Sequence, residues 1–108
     1  MDYSQLSDFE INKRVAKSIY SVSFVEPLSR TVSVSGGKRL FDPCNNPADA
    51  WPIILKNRIS LVLDCAEDAS SDWWNAFDQF DDCRVQYQSN PLRAAMIVLL
   101  MMQDAKHA

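Results

Sequence analysis

The chain has 108 residues, of which 47% are hydrophobic, and we expect residues 1–108 to form one domain around a single core. The formal net charge of -3 argues against a protein that binds by neutralising phosphates, so free nucleic acid is not expected as a partner. The longest apolar run, residues 94–102, is far shorter than the roughly 20 residues of a membrane-spanning helix. No membrane association is therefore expected, and the polar, acidic N-terminal stretch predicts no secretory signal.

The only histidine is His107, one residue before the last position. General acid/base and metal chemistry at neutral pH depend heavily on imidazole, so its absence from the rest of the chain predicts that the protein is not an enzyme. Three cysteines, Cys44, Cys65 and Cys83, lie far apart without a C-x-x-C motif. Such thiols are typical of buried apolar residues in a reducing cytosol, and we expect neither a metal site nor a cofactor.

The first predicted element is a helix from Asp8 to about Ser18. Ser7 and Glu10 have the spacing of a capping box, in which each side chain satisfies a backbone donor at the start of the helix. The apolar positions recur at helical spacing and predict one buried face, formed by Ile11, Val15, Ala16 and Ile19.

Residues 21–40 change to a pattern of period two, with Val22 and Phe24 in the first half and Val32 and Val34 in the second. This alternation predicts half-buried strands that are connected through Pro27 and followed by a turn at the two glycines, 36 and 37. Because the chain has only these two glycines, it contains neither a P-loop nor a dinucleotide-binding pattern.

Residues 41–51 are rich in proline and asparagine and predict an ordered loop. Two helix starts compete after it. Pro52 suits a first helical position and predicts a short helix from Pro52 to about Asn57. A start at Pro47, with Asn46 as N-cap, would place Pro52 in the helix interior at a cost of about 3 kcal/mol. We therefore expect the shorter helix.

Two further strands are predicted in the second half of the chain. Residues 59–63 form the first. The second runs from Cys83 to Ser89, and its alternation places Val85 and Tyr87 on one face.

A last helix is predicted to begin at Pro91, with Asn90 as N-cap, and to run to about Asp104. It should be buried on more than one side, because residues 94–102 are apolar all round. The complete pattern predicts an α+β fold, in which two main helices and one short helix pack on a small antiparallel sheet.

The middle of the chain is acidic and aromatic, since no Lys or Arg lies between Arg58 and Arg84 and seven Asp and Glu residues do. Trp73 and Trp74 lie within this interval, and on a strand one of them would face the core and the other solvent. Exposed aromatic residues among polar ones are enriched at binding hot spots. The alternative is that both are core residues beside a solvated acidic loop. The candidate contact surface, with carboxylates that steer a basic partner, comprises Trp73, Trp74, Asp72, Asp78, Asp81 and Asp82.

A second hypothesis is a module that binds a small molecule or sequesters a nucleotide. Trp51 and the ordered loop that contains Asn46 could stack a base, while Lys38 or Arg39 could contact a phosphate. A homodimer through a sheet edge or through the tryptophan region is a further hypothesis, because small domains often complete their burial by self-association.

Four blocks of the chain carry a resemblance in their order and spacing. They are Ser4–Ser7 followed by Val15–Lys17, residues 46–61 centred on Pro52–Ile54, the tryptophan pair, and Pro91–Leu92 followed by Ala94–Met96. Together they resemble the NinX family of lambdoid bacteriophages and of prophages in enteric bacteria. The resemblance implies an early-expressed, cytoplasmic phage accessory protein, and it carries over no catalytic or binding residue. Similar proteins tend to have two glycines where this chain has Ala50 and Trp51.

These observations lead to a functional hypothesis. We expect a non-enzymatic accessory protein that binds a host or phage protein in the cytoplasm of the bacterial host. Modulation of a host nuclease or defence system is the finer form of this hypothesis, and a DNA mimic, in which the carboxylates imitate phosphates, is a variant of it.

Overall fold

The computed structural model describes residues 1–107, and the side chain of His107 and the whole of Ala108 lie outside the described residues. The fold is α+β, as predicted, but the strands form two three-stranded antiparallel sheets instead of one. A short 3-10 turn at Tyr3–Gln5 comes first. The other elements are α1 (Asp8–Ile19), β1 (Phe24–Glu26), β2 (Thr31–Val34), β3 (Arg39–Leu40), α2 (Pro47–Lys56), β4 (Ser60–Cys65), β5 (Asp72–Phe77), β6 (Arg84–Gln88) and α3 (Pro91–His107).

Helix α1 begins where its capping residues predict. The Ser7 hydroxyl accepts a hydrogen bond from the Glu10 N–H at 3.2 Å, so one of the free donors of the first turn is satisfied. The predicted apolar face is buried at Ile11, Val15 and Ala16. Its last member, Ile19, is exposed because the helix ends there, beyond the edge of the core.

The first sheet has the order β1-β2-β3, and its central strand turns Val32 and Val34 into the core. The half-buried strand around Val32 and Val34 and the glycine turn are therefore confirmed. The first strand is shorter than predicted, because it begins at Phe24 and leaves Val22 outside, and it is exposed instead of half-buried. Gly36 and Gly37 have φ angles of +70° and +84°, a backbone conformation that glycine adopts without the strain of a Cβ atom. Helix α1 packs against β2 on the buried side.

The prediction for α2 was wrong, because the helix begins at Pro47 and holds Pro52 in its interior. The Asn46 side chain accepts a hydrogen bond from the Ala48 N–H at 3.0 Å and so caps the helix. The extra turn also buries Asp49 and Ala50. Capping, burial and the contacts of Asp49 described below together offset the cost of a proline inside the helix.

The second sheet has the order β4-β5-β6, and α3 packs across it while also contacting α1 and α2. As predicted, α3 is buried on more than one side, since residues 94–100 are all buried. Only the end of the sheet nearest this helix reaches the core, through Leu61, Ala76 and Val85. No helix within residues 1–107 is long and apolar enough to cross a membrane.

The three long helices begin close together, around the loop of residues 42–46. The Asn12 side chain, itself buried, donates to Asp42 Oδ1 at 2.7 Å and accepts from the Cys44 N–H at 3.1 Å. Asn90, which caps α3, donates to the Cys44 carbonyl at 2.7 Å. We call this cluster the polar junction, and its members are Asp8, Asn12, residues 42–46, Asp49, Asn90 and Arg93.

Ion pairs close the polar junction on two sides. Arg93 Nη1 donates to Asp8 Oδ1 at 2.8 Å, which ties the start of α3 to the start of α1. Arg39 Nη1 donates to Asp49 Oδ1 at 2.6 Å, and Asp49 Oδ2 accepts the Asp42 N–H at 2.9 Å. These contacts hold the loop and the three helix starts together as one unit. This unit includes the start of α3, the helix on which the second sheet packs.

Candidate functional site

The tryptophan pair lies on β5, as a strand assignment for this region requires. Trp74 pairs with Leu63 on the face of the sheet that includes Ala76 and Leu61, whereas Trp73 pairs with Asp64 on the opposite face. The two rings thus point to opposite sides of the sheet. Both are half-buried, so the structure gives neither the fully exposed indole nor the two core residues of the alternative.

The face that bears Trp73 also carries the most exposed aromatic ring of the second sheet. The ring centroids of Trp73 and Tyr87 lie 5.2 Å apart, and Tyr87 is 71% exposed. Val62, diagonal to Trp73 on β4, is 42% exposed on the same face. These side chains form a continuous apolar surface, which we call the tip patch: Val62, Trp73 and Tyr87.

A β-bulge brings Tyr87 into the tip patch. The register between β5 and β6 shifts between Trp74 and Ala76, where β6 has one residue more than β5. Tyr87 has a φ of +61°, and its N–H is bound by the Asn75 side chain at 3.2 Å. Val85 packs on the core, so the prediction that Val85 and Tyr87 share one face was wrong. Uninterrupted alternation could not reveal the extra residue.

The acidic residues separate into two groups at opposite ends of β5. One group surrounds the turn between β4 and β5, next to the tip patch. Each of its members is exposed, and Ser70, which donates to the Asp68 carboxylate, lowers the pKa of that group. No Lys or Arg lies in this stretch of sequence, so the tip of the sheet is uniformly negative. The members are Asp64, Glu67, Asp68 and Asp72.

The other group, Asp78, Asp81 and Asp82, lies in the turn between β5 and β6. Asp78 is only 6% exposed, and its carboxylate accepts the N–H groups of Asp82 and Cys83 at 2.8 and 3.0 Å. It holds the turn and does not lie on a contact surface, which corrects the sequence-based set. Arg84, bound to Asp81 at 2.8 Å, lowers the pKa of Asp81. Of these three residues, only Asp82 has an exposed carboxylate without an ion pair to a described residue.

The four residues of the predicted ligand pocket are not brought together in one cavity. Asn46 caps α2, and Lys38 is exposed in the turn before β3. Trp51 is exposed on the outer side of α2. Arg39 alone lines a cavity of about 370 Å³ between the ends of α1, α2 and α3. Its hydrogen bond to Asp49 raises the pKa of Arg39, and it also donates to the Tyr20 hydroxyl at 3.2 Å.

The thiols are spread over three environments. Cys44 lies buried in the polar junction, and burial raises its pKa far above the ordinary value. Burial likewise raises the pKa of Cys83, next to Asp78. Cys65 is exposed at the end of β4. Among the described side chains, no group of three or more His, Cys, Asp or Glu residues is arranged to hold a metal ion.

The structure therefore indicates one candidate surface that the sequence identified only in part. Trp73 belongs to it, while Trp74 and Asp72 lie on the reverse face of the same sheet, and Asp72 belongs only to the acidic end of that sheet. Val62, Asp64 and Tyr87 were missed. The run of three apolar residues at 61–63 was the available signal, because on a strand it must present apolar side chains to both faces.

Comparison with known proteins gives one match. The family model described as "Bacteriophage P22, NinX" matches residues 2–103, nearly the whole chain. No curated protein and no solved structure matches this chain.

Proposed function

Because the chain belongs to the NinX family of phage proteins, we propose that this phage accessory protein acts by binding a host or phage protein through the tip patch. The single observation that carries the proposal is the contact between the half-buried Trp73 ring and the Tyr87 ring, which is 71% exposed. Tyr and Trp dominate binding hot spots, because they contribute large apolar areas at a low cost in side-chain entropy.

The electrostatic surroundings of the tip patch indicate the chemistry of the partner. Asp64 lies directly across the strand pair from Trp73 and on the same face of the sheet, whereas Asp72, which precedes Trp73 on β5, faces the other side. With Glu67 and Asp68 in the adjoining turn, Asp64 gives the apolar surface an acidic rim. Such a rim accelerates association with a basic surface and rejects acidic ones. We therefore propose a partner with a basic contact surface, of which a nuclease or another nucleic-acid-binding protein is an example.

Binding without chemistry is the simplest account of the remaining side chains. A cysteine nucleophile needs a thiolate at neutral pH, and burial raises the pKa of both Cys44 and Cys83. The carboxylates of the polar junction are occupied by hydrogen bonds and ion pairs within the fold. We accordingly propose that the protein is not an enzyme.

A pair of photo-cross-linking variants tests this proposal. Benzoylphenylalanine replaces Tyr87 in one variant and Phe80 in the other, and both are expressed in the bacterial host. The two native rings are 71% and 72% exposed and lie at opposite ends of the second sheet, so position 80 is a matched control. We expect position 87 alone to cross-link a discrete protein other than a second copy of the chain, and we expect that adduct to weaken with added salt and with Trp73→Ala.

Two results would contradict the proposal. One is the absence of any heterologous adduct from position 87. The other is the same adduct, at the same yield, from both positions. Trp51→Ala is a second control, because it removes an exposed indole from α2 without altering the tip patch.

The cavity beside Arg39 supports a second candidate function. Its volume of about 370 Å³ lies within the range of small-ligand sites, which span about 300–1,000 Å³. Phe41 and Pro52 give it apolar walls. A small anion would meet Lys56, which forms no ion pair with the described residues, and the Arg39 guanidinium, whose charge is shared with Asp49 in the same lining. A thermal-shift screen of nucleotides tests this, since a ligand at 100 times its dissociation constant stabilises the fold by about 2.7 kcal/mol. An Arg39→Gln variant should lose that shift, and a flat screen would discard this candidate.

A further inference from the structure

The edges of the two sheets differ in how they are protected against pairing with another chain. An edge strand presents unpaired N–H and C=O groups, and proteins usually block it with a bulge, a proline, a lysine or a very short strand. The bulge at Tyr87 interrupts β6. Strand β1 ends at Glu26, directly before Pro27, and β3 has only two residues.

Strand β4 has none of these devices. It is six residues long and pairs with β5 in an unbroken register from Ser60 to Cys65. It contains no proline, glycine, lysine or arginine. Two adjacent residues at its centre, Val62 and Leu63, are 42% and 57% exposed and lie on opposite faces of the sheet. A regular, apolar, open edge of this kind is a template for strand addition.

We propose that a second copy of the chain pairs with this edge, so that two β4 strands join antiparallel and form one six-stranded sheet. In an antiparallel pair, residues that lie directly opposite each other point to the same face of the sheet. A twofold axis perpendicular to the sheet must therefore pass midway between the two copies of one residue. Centred on Val62, this register sets Leu61 opposite Leu63 of the second copy and Ser60 opposite Asp64 of the second copy. Every exposed apolar residue of β4 then meets an apolar residue.

The neighbouring register is less favourable. Centred on Leu63, the axis would set Val62 opposite Asp64 of the second copy. Each dimer would then place two carboxylates against apolar side chains, at a loss of solvation that hydrogen bonding does not recover. The side-chain sequence of β4 therefore selects Val62.

Charge complementarity identifies the occupant as another copy in the antiparallel direction. Lys56 and Arg58 precede β4, are exposed, and form no ion pair with the described residues. Glu67 and Asp68 follow β4 in the acidic turn. Antiparallel pairing about Val62 brings residues 56–58 of each copy beside residues 66–68 of the other. The two acidic tips point away from each other, and each approaches the other copy's cations.

This inference does not rest on the proposed function. The dimer uses the backbone edge of β4, whereas a heterologous partner would contact the Trp73–Tyr87 face, and the two surfaces share only the Val62 side chain. Because the axis is perpendicular to the sheet, the Trp73–Tyr87 faces of the two copies would lie on the same side of the dimer.

Sedimentation of the purified full chain tests the dimer. We expect a concentration-dependent mass that approaches twice 12.3 kDa. Val62→Lys should raise the dimer dissociation constant at least about tenfold, because it sets two lysines against each other at the axis. Gln86→Lys is the matched control, since it adds the same charge to the exposed β6 edge and should leave the dimer unchanged. A wild-type chain that stays monomeric at every concentration, or equal effects of the two variants, would overturn the proposal.

Two further experiments test the register and do not depend on the folding of Val62→Lys. Arg58→Glu should weaken the dimer, and adding Glu67→Arg should restore it, because the register sets position 58 opposite Ala66 of the second copy, next to Glu67 of that copy. Val62→Cys, in a Cys65→Ser background, should form an intermolecular disulfide under mild oxidation. Cys65 of the wild-type chain should not, since the two copies of that residue would lie about 20 Å apart, six residues along the joined strands. A charge swap without rescue, or a disulfide through Cys65 alone, would overturn the register.

Discussion

The polar junction and the tip patch use their side chains in opposite ways. In the polar junction, charged and amide groups are turned inward and satisfied by one another, as in the Asn12–Asp42–Asp49 chain of hydrogen bonds. In the tip patch, aromatic and aliphatic groups are turned outward, and the rings of Trp73 and Tyr87 contact each other. A charged residue in this chain is therefore weak evidence of a site. An apolar residue away from the core is stronger evidence.

The difference also has an energetic side. Buried polar groups destabilise a fold strongly when one partner is removed, because the remaining group loses both its hydrogen bond and water. Truncating a half-exposed aromatic residue lowers the stability of the fold only a little, because much of the ring's surface was already hydrated. The polar junction should thus control stability, and the tip patch should control binding.

The largest expected effect is that of Asn12→Leu in the polar junction. The substitution leaves the Cys44 N–H and the Asp42 carboxylate without their shared partner. We expect the free energy of unfolding in urea to fall by about 2–4 kcal/mol, because the buried Cys44 N–H loses its acceptor and the half-buried Asp42 carboxylate keeps only its side-chain hydrogen bonds from Asn45. Gln86→Leu, on the exposed edge of β6, is the amide control and should change stability by less than about 0.5 kcal/mol. Equal effects of the two variants would remove the contrast between the regions.

A smaller effect is expected at Asn46, which the sequence suggested as a ligand contact and the structure shows as the N-cap of α2. Asn46→Ala should cost about 1 kcal/mol of stability, whereas Asn46→Asp should cost less than half of that, because aspartate caps helices equally well. If Asn46→Ala leaves thermal and urea unfolding unchanged, the residue does not act as a cap.

The thiols distinguish the two regions without a change in sequence. Cys65 at the tip should react with Ellman's reagent in the native protein, while Cys44 in the polar junction should react only after unfolding. Cys65→Ser should therefore abolish the fast reaction. Native labelling of Cys44 at the rate of Cys65 would show that the polar junction opens readily.

These thiols also set the expected dependence of stability on pH at the alkaline end. Burial raises the pKa of Cys44 and Cys83 in the folded state above the ordinary 9.0. Their contribution to stability is therefore complete below pH 9 and declines as the pH rises above it, since only the unfolded chain then releases the protons. Replacing Cys83 with alanine should flatten this decline in urea unfolding measured between pH 8 and pH 10.

The sequence predicted well where the decisive interactions are local. Ser7, Asn90 and Pro91 determined two helix starts, because a cap acts within one turn of its own residue. The prediction failed at α2. The cost of Pro52 inside a helix can be read from the local sequence, whereas the Arg39–Asp49 ion pair that stabilises the longer helix joins residues ten positions apart. Local patterns also could not show that the strands divide into two sheets, since strand pairing is decided by distant partners.

The candidate site was only partly predictable for a similar reason. Trp73 could be found from composition, but the bulge that turns Tyr87 outward depends on Asn75, twelve residues earlier. Asp78 has the same side chain as Asp72, and only the fold of its turn separates a buried hydrogen-bond acceptor from an exposed charge. Exposure is a property of the assembled structure, which composition does not record.

We propose that the tip patch serves to bind a partner and contributes little to the free energy of unfolding. The most direct test is the free energy of unfolding of a Trp73→Ala, Tyr87→Ala double variant, measured in urea at fixed protein concentration. We predict a loss below about 1.5 kcal/mol, the scale of a surface cross-strand pair. A loss above about 4 kcal/mol, the scale of large aromatic residues removed from a core, would show that these rings belong to the core and would contradict the claim.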